Sequence, residues 1–267
     1  MSRYLPDAGR AHQGSGYEYP RYYEIAFNFN RKLECDFLEA AFRRHARRKI
    51  VRVVDLACGT GQHLVRLAQR GYRMTGIDLS ADNLAYVKSR ARALGLPVHL
   101  RRADITAFRL PEPQDAAICM TDSQGHLLTN EAILLHLRWV ARSLRPGGLY
   151  IFDRMLPDDW FDPTHEYRWT RRQGATRVTT TFRTLLDVDP VRQVCREELA
   201  FTVEENGRVH RTRQRYQTRV VFPQELRTLI ELAATFDLVG WHPNFTLKRR
   251  LEASKHPMML VAILRRR

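Results

Sequence analysis

Three short stretches place residues capable of chemistry at regular intervals. The first is Asp55-Leu56-Ala57-Cys58-Gly59-Thr60-Gly61, which follows an apolar run and opens a helical pattern. Glycines belong where backbone turns sharply and lies against a ligand, and the amides of a helix start face a carboxylate or phosphate. A dinucleotide loop of this kind reads Gly-x-Gly-x-x-Gly. Here the order is acid-x-Ala-x-Gly-x-Gly, with the acid on the strand itself. A carboxylate there repels a pyrophosphate but suits the ammonium of an amino acid. The second stretch is Gly76-Ile77-Asp78-Leu79-Ser80, whose acid can accept hydrogen bonds from both hydroxyls of a ribose. The third is Ala103-Asp104-Ile105, where Asp104 can accept from an adenine amine and Ile105 can pack on its face. Together they ask for an adenosine joined to an amino acid. S-adenosylmethionine (SAM) has both parts; NAD lacks the ammonium.

These stretches need a scaffold that ends them all at one edge. Ile50–Leu56 is an apolar run suited to a strand buried on both faces. Gly61–Arg70 reads as a helix closed by Gly71, Tyr72–Asp78 as a second strand, and Ser80 as the cap of a helix that runs to Leu94 and ends at Gly95. Val98–Ala103 and Asp115–Met120 are further strands. Glu131–Leu144 carries Ile133, Leu137, Val140 and Leu144 at helical spacing, stopped by Arg145-Pro146-Gly147-Gly148, and Leu149–Asp153 is a fifth strand. Such alternation predicts parallel β-α-β units, hence an α/β Rossmann-like sheet. Upstream, residues 1–29 read as irregular and rich in tyrosine, and a helix to about Arg48 puts Leu33, Phe37, Leu38 and Ala41 on one face. Downstream, β-rich stretches at Arg177–Leu186 and Val209–Phe222, with turn residues at Gly174, Asp189-Pro190 and Asn206-Gly207, predict an antiparallel insertion of three or four strands. A helix at Gln224–Ala234 and strands at Leu238–Phe245 and Met258–Leu264 follow. The chain is therefore read as one domain in four parts: 1–48, an N-terminal lid and helix; 49–154, the cofactor-binding core; 155–222, the insertion; and 223–267, the rest of the core sheet.

The strings Val53–Gly61, Gly76–Ser80, Arg102–Ile105 and Leu144–Tyr150 resemble class I SAM-dependent methyltransferases, over roughly residues 20–154 and more loosely over the last 45. The resemblance implies a seven-stranded sheet with an antiparallel last strand. It also implies SAM bound by Asp55, Ala57, Cys58, Gly59, Gly61, Asp78, Leu79, Asp104, Ile105 and Met120. Ala57 stands where the first motif glycine is usual and is expected to tighten the turn only slightly. The fourth strand lacks the Asp/Asn-Pro-Pro-aromatic string of base-amino methyltransferases, and Cys119 reads as core. The string Cys119-Met120 … Gly125-His126-Leu127 is similar to small-molecule N-methyltransferases that dimethylate nucleotide-linked amino sugars. That likeness implies a lid carrying Tyr22-Tyr23-Glu24, with Tyr22 and Tyr23 over the cofactor. It puts His126 at the methyl acceptor as the base that an ammonium nucleophile needs, with Tyr23 beside the sulfonium. The expected function is methyl transfer from SAM by in-line displacement to a small-molecule acceptor, an amine first, with oxygen left open as the acceptor atom. An RNA or protein methyltransferase using a basic surface is the alternative, and a non-catalytic SAM sensor is a third class.

Composition sets the outer bounds. The 267 residues suffice for one α/β domain with a full core. A hydrophobic share of 44% is that of a globular protein, and no apolar run reaches membrane-spanning length. The polar start of the chain lacks a signal-peptide pattern. Four scattered cysteines suggest reduced thiols and no metal site, so a cytoplasmic location is expected. The net charge of +15 raises the prior for an anionic partner, an anionic small-molecule substrate included. Yet only five of the 44 basic residues are lysine, and the charge divides as +4, +4 and +7 over residues 1–49, 50–153 and 154–267. That spread reads as compositional, with nucleic acid the lesser expectation as partner and a homodimer left open. The densest run, Arg43 to Arg52, reads as a solvated helix end.

Overall fold

The computed structural model describes residues 19–156, 166–255 and 257–267. Five parallel strands form its centre: β1 (Arg52–Leu56), β2 (Arg73–Asp78), β3 (Val98–Arg102), β4 (Gln114–Cys119) and β5 (Leu144–Met155). Successive side chains leave a strand on opposite faces, and each face is roofed by helices. Val53, Ala116, Ile118, Leu149 and Ile151 pack with Leu38, Phe42 and Leu64, from α2 (Arg31–His45) and α3 (Gln62–Gln69). Val54, Ala117, Cys119, Tyr150 and Phe152 pack with Leu137, Val140 and Leu229, from α5 (Asn130–Ser143) and α6 (Pro223–Ala233). Such two-sided burial explains the unbroken apolar runs.

After the insertion, β10 (Phe236–Pro243) and β11 (Met259–Arg266) complete a seven-stranded sheet of order β10-β11-β5-β4-β1-β2-β3. β11 is antiparallel to both its neighbours. The insertion is a separate antiparallel sheet of β6 (Glu166–Gln173), β7 (Thr176–Asp189), β8 (Val194–Glu205) and β9 (Arg208–Arg219). Asn206 and Gly207 join β8 to β9 at φ 48° and 73°, the left-handed pair that a two-residue hairpin needs. The fold class expected from the sequence is the one observed.

Several local expectations change. Residues 20–26 are helical rather than irregular: α1 (Pro20–Ala26) begins at a proline whose fixed φ suits a first turn. Its Ile25 and Ala26 are buried against Val178, Leu199, Phe201 and Val203 of the insertion, and Trp169 Nε1 donates to the Ala26 carbonyl at 2.8 Å. α2 stops at His45, not Arg48, and Leu33 is 47% exposed on it. β5 begins at Leu144, so the Arg145–Gly148 turn lies inside the strand as a bulge between the Gln114–Leu144 and Ala116–Leu149 pairs. Gly148 permits this, because a Cβ there would lie 2.8 Å from the Asp115 carbonyl. Tyr4, Tyr17 and Trp160 lie outside the described residues. No helix among the described residues is long and apolar enough to cross a membrane.

Candidate cofactor and acceptor site

The turn after β1 is built on left-handed backbone. Ala57, Gly59 and Gly61 take φ 53°, 52° and 73°. Gly61 must be glycine twice over, since an added Cβ would also lie 2.7 Å from Val87 Cγ2. Beside Gly59 there is open space where a Cβ would project. Ala57 is therefore not a slight tightening of the turn; it holds a conformation that costs a residue with a Cβ roughly 1–2 kcal/mol. Cys58 donates its amide to the Ile77 carbonyl at 2.9 Å, and its thiol is buried and pushed up by that burial and by Asp55.

Two carboxylates frame the turn. Asp78, at the end of β2, accepts the amide of Gly59 at 2.7 Å and that of Ser80 at 2.8 Å. Burial still outweighs these bonds and holds its carboxyl above the usual range. Asp55 is fully buried on β1, and burial, reinforced by Asp78, pushes it up to about 8. Buried carboxylates with raised pKa are stabilised by a cation or by hydroxyl donors. Just past β3, the Ala103 amide donates to the Asp78 carbonyl at 3.2 Å. Asp104 is exposed at the next position, one oxygen taken by the Thr106 amide and hydroxyl, both at 2.7 Å. Leu79 is 45% exposed, Ile105 is half-buried, and Met120 is buried at the end of β4.

α1 closes over this edge. Glu24 accepts from Tyr86 Oη at 2.5 Å and pairs with Arg90 at 2.8 Å, both on α4 (Ala81–Ala93). Tyr23 is half-buried and stacks on Phe27 at 4.4 Å. Its hydroxyl is pushed up to about 12 by burial, eased by Arg31 and raised further by Asp78. Tyr22 goes another way, its ring 5.7 Å from Tyr19 and 6.4 Å from His210 of the insertion. Thus Tyr23 lies within electrostatic reach of Asp78 and Arg31, whereas Tyr22 turns to Tyr19 and the insertion.

Sequence reasoning missed the supports beneath. Arg31 is buried and donates to Gln62 Oε1 at 2.6 Å, to both Glu34 oxygens and to the Phe27 carbonyl. Glu34 also meets His63 Nε2 at 2.5 Å. Burial alone would raise the Glu34 carboxyl, but His63 and Arg31 bring it below its usual range. Nothing in their spacing marks these residues, which come from α2 and α3.

At the end of β4 the backbone is strained again. Thr121 and Asp122 take φ 62° and 52°, and the buried Asp153 of β5 accepts their amides at 2.7 and 3.3 Å. Asp122 caps no helix with its side chain; it pairs with the buried Arg154 Nε at 2.8 Å. Burial pushes Asp122 up to about 6 and Asp153 to about 7. His126 is exposed on the 3-10 turn Ser123–His126, its ring edge-on to Tyr216 of β9 at 5.4 Å. Glu197 faces the same place from β8, hydrogen-bonded to Thr218 and Tyr216, and burial followed by Asp122 raises it to about 7. The signal for Glu197 was legible: it interrupts the apolar row Cys195, Leu199, Phe201, Val203 that faces inward.

Residues 53–148 match the family profile described as a methyltransferase domain. The matched residues run from β1 to the bulge of β5 and include the turn after β1. Around that domain, a dTDP-3-amino-3,6-dideoxy-alpha-D-glucopyranose N,N-dimethyltransferase of Streptomyces fradiae is 32% identical over 63% of this chain and 59% of its own length. A dTDP-3-amino-3,4,6-trideoxy-alpha-D-glucopyranose N,N-dimethyltransferase of Streptomyces venezuelae is 30% identical over 58% of this chain and 62% of its own. The chain thus spans about three fifths of these relatives. Among solved structures, a SAM-dependent methyltransferase from Clostridium acetobutylicum superposes at TM-score 0.77 with 17% identity, covering 93% of this chain and 97% of that one. SAM-bound CalS10, an amino pentose methyltransferase from Micromonospora echinaspora, does so at 0.70 with 19% identity, covering 97% and 100%. The domain's fold, insertion included, is therefore shared along nearly the whole chain.

Proposed function

We propose that this chain transfers the methyl group of SAM to the amine of a small molecule. The cofactor part is supported by the turn after β1: open space beside Gly59, with Asp55 and Asp78 buried on either side. When bound, SAM supplies an electrophilic methyl on a sulfonium. Asp55 would hold its ammonium and Asp78 its ribose hydroxyls; Asp104 would accept from the adenine amine on its second oxygen, with Leu79 and Ile105 available to pack on the ring. The Tyr23 ring favours positive charge nearby. α1 excludes water, which suits a displacement whose catalysis is mostly positioning.

One observation carries the acceptor: Asp122, Asp153 and Glu197 collect where β4 and β5 end beneath the insertion, all three raised by burial. Such a wall, its Asp122 already paired with Arg154, favours an amine that arrives as an ammonium through Asp153 and Glu197. It can also hold the proton the amine must lose before attack, with His126 at the rim passing it to solvent. The amino-sugar substrates in the relatives' names fit this reading. The test is incubation with methyl-labelled SAM and a panel of a nucleotide-linked amino sugar, its hydroxyl analogue, a free amino acid and tRNA. Label on the amine nitrogen of a small molecule is the expected result. Label confined to the hydroxyl analogue or to tRNA would overturn it.

A further inference from the structure

The sheet separates charge between its two ends. The carboxylates just described stand where the parallel strands finish. Where those strands begin and the helices finish, cations gather instead. One open cleft there, of about 480 Å³, is walled by Arg48, Lys49, Arg52, Arg73 and Arg145 around Asp115. Arg52 and Arg73 are the first residues of β1 and β2, and Asp115 and Arg145 the second residues of β4 and β5. A second cleft, of about 410 Å³, is lined by Arg138, Arg142, Arg266 and Arg267. It opens at the same end, because antiparallel β11 finishes beside the start of β10 (Arg266 pairs with Phe236) and beside the start of the parallel part of β5 (Arg265 pairs with Leu149).

Few anions answer these cations. Asp115 spends one oxygen on the amides of Val51 and Arg52, at 3.0 and 2.9 Å. Its other oxygen lies 3.6 Å from both Arg48 and Arg145. Arg52 pairs with Glu112 and Arg267 with Asp237. Lys49, Arg73, Arg138 and Arg142 have no carboxylate partner among the described residues. Helix dipoles favour a cation in a last turn, which accounts for Arg142 of α5 but not for five cations around one cleft.

We propose that this end is a docking surface for the phosphate backbone of a nucleic acid, separate from the methyl-transfer site. Guanidinium forks match phosphate oxygens in pairs, and two recesses suit protruding phosphates better than the plane of a bilayer. A nucleic acid held here is a tether and not the methyl acceptor. The five residues of β1 alone put about 16 Å between the cleft and the Gly59 turn. The spread of charge along the sequence conceals this end, because the topology collects arginines from every segment.

The test uses the full chain and fluorescein-labelled single-stranded RNA and duplex DNA, followed by anisotropy over a KCl series. Binding should weaken with salt, with a log–log slope of about −3 or steeper, as for four or more phosphate contacts. Lys49→Ala with Arg73→Ala, and separately Arg138→Ala with Arg142→Ala, should each weaken binding at least ~10-fold and reduce the slope by about 2. SAM binding by calorimetry should be unchanged in both, which certifies the fold. Flat salt dependence, variants that bind like the parent, or binding to phosphatidylserine vesicles but to neither oligonucleotide would each overturn the proposal. None of these readouts depends on the methyl acceptor.

Discussion

At the residue scale the site rests on a few atoms whose removal has a computable effect. Asp78 spends its oxygens on the Gly59 and Ser80 amides and keeps lone pairs for a ribose. On the proposed reading, Asp78→Ala would remove two charge-assisted bonds to the ligand and loosen the turn after β1. At about 1.5–3 kcal/mol for each such bond, SAM affinity by calorimetry should fall at least ~10-fold. Unchanged affinity would remove the ribose assignment. Ala57 offers the opposite test. At φ 53° it bears a penalty that glycine does not, offset in part by the greater freedom glycine gives the unfolded chain. Ala57→Gly should therefore raise stability by about 0.5–1 kcal/mol in urea unfolding; a loss would mean that the Ala57 methyl makes a contact worth more than the strain. These positions were legible in the sequence because motif and strand end coincide. The Arg31–Glu34–His63 network was not, because burying a charged triad needs partners from separate helices, and spacing along one helix cannot reveal them.

At the scale of elements, the strands and helices of the sheet were readable because buried parallel strands leave unbroken apolar runs with sharp turn residues between them. What failed to show was α1, a seven-residue helix too short for a periodicity and held by tertiary contacts alone. Those contacts have two sides. Ile25 and Ala26 bury against the insertion, while Glu24 reaches α4 through Tyr86 and Arg90. Deleting the segment would thus strip the inner face of the second sheet as well as uncover the cofactor turn. A gentler change separates the two roles. Glu24→Ala leaves the apolar side of α1 in place and releases only its latch. It should speed SAM dissociation in stopped-flow mixing about fivefold or more, the equivalent of roughly 1 kcal/mol, with little change in Tm. A large fall in Tm with unchanged dissociation would make α1 a structural cover and not a lid.

At the scale of the whole molecule, buried titratable groups couple stability to pH in two opposing senses. Glu197 and Asp153 are raised to about 7. Below the ordinary carboxylate range both states hold these protons. As pH rises toward 7 the unfolded chain has released them and the folded chain has not, so the stability they contribute at low pH is lost by about pH 7. His136 does the reverse. It is fully buried, with Nδ1 bonded to the Ile105 carbonyl at 2.9 Å and Nε2 to Tyr150 Oη at 2.6 Å. Burial lowers it to about 4, so its contribution is present above the ordinary histidine pKa and is lost as pH falls from about 6.5 toward 4. Two variants resolve the opposing slopes. Glu197→Gln should gain on the parent protein between pH 5 and 8, by at most about 3 kcal/mol in denaturant unfolding. His136→Gln, costly near neutrality because it breaks a packed network, should close part of that deficit as pH falls from about 6.5 to 4, again by at most about 3 kcal/mol. Curves for both variants that run parallel to the parent's at every pH would show that neither group is buried as described, and with it would go the acidic wall on which the amine acceptor rests.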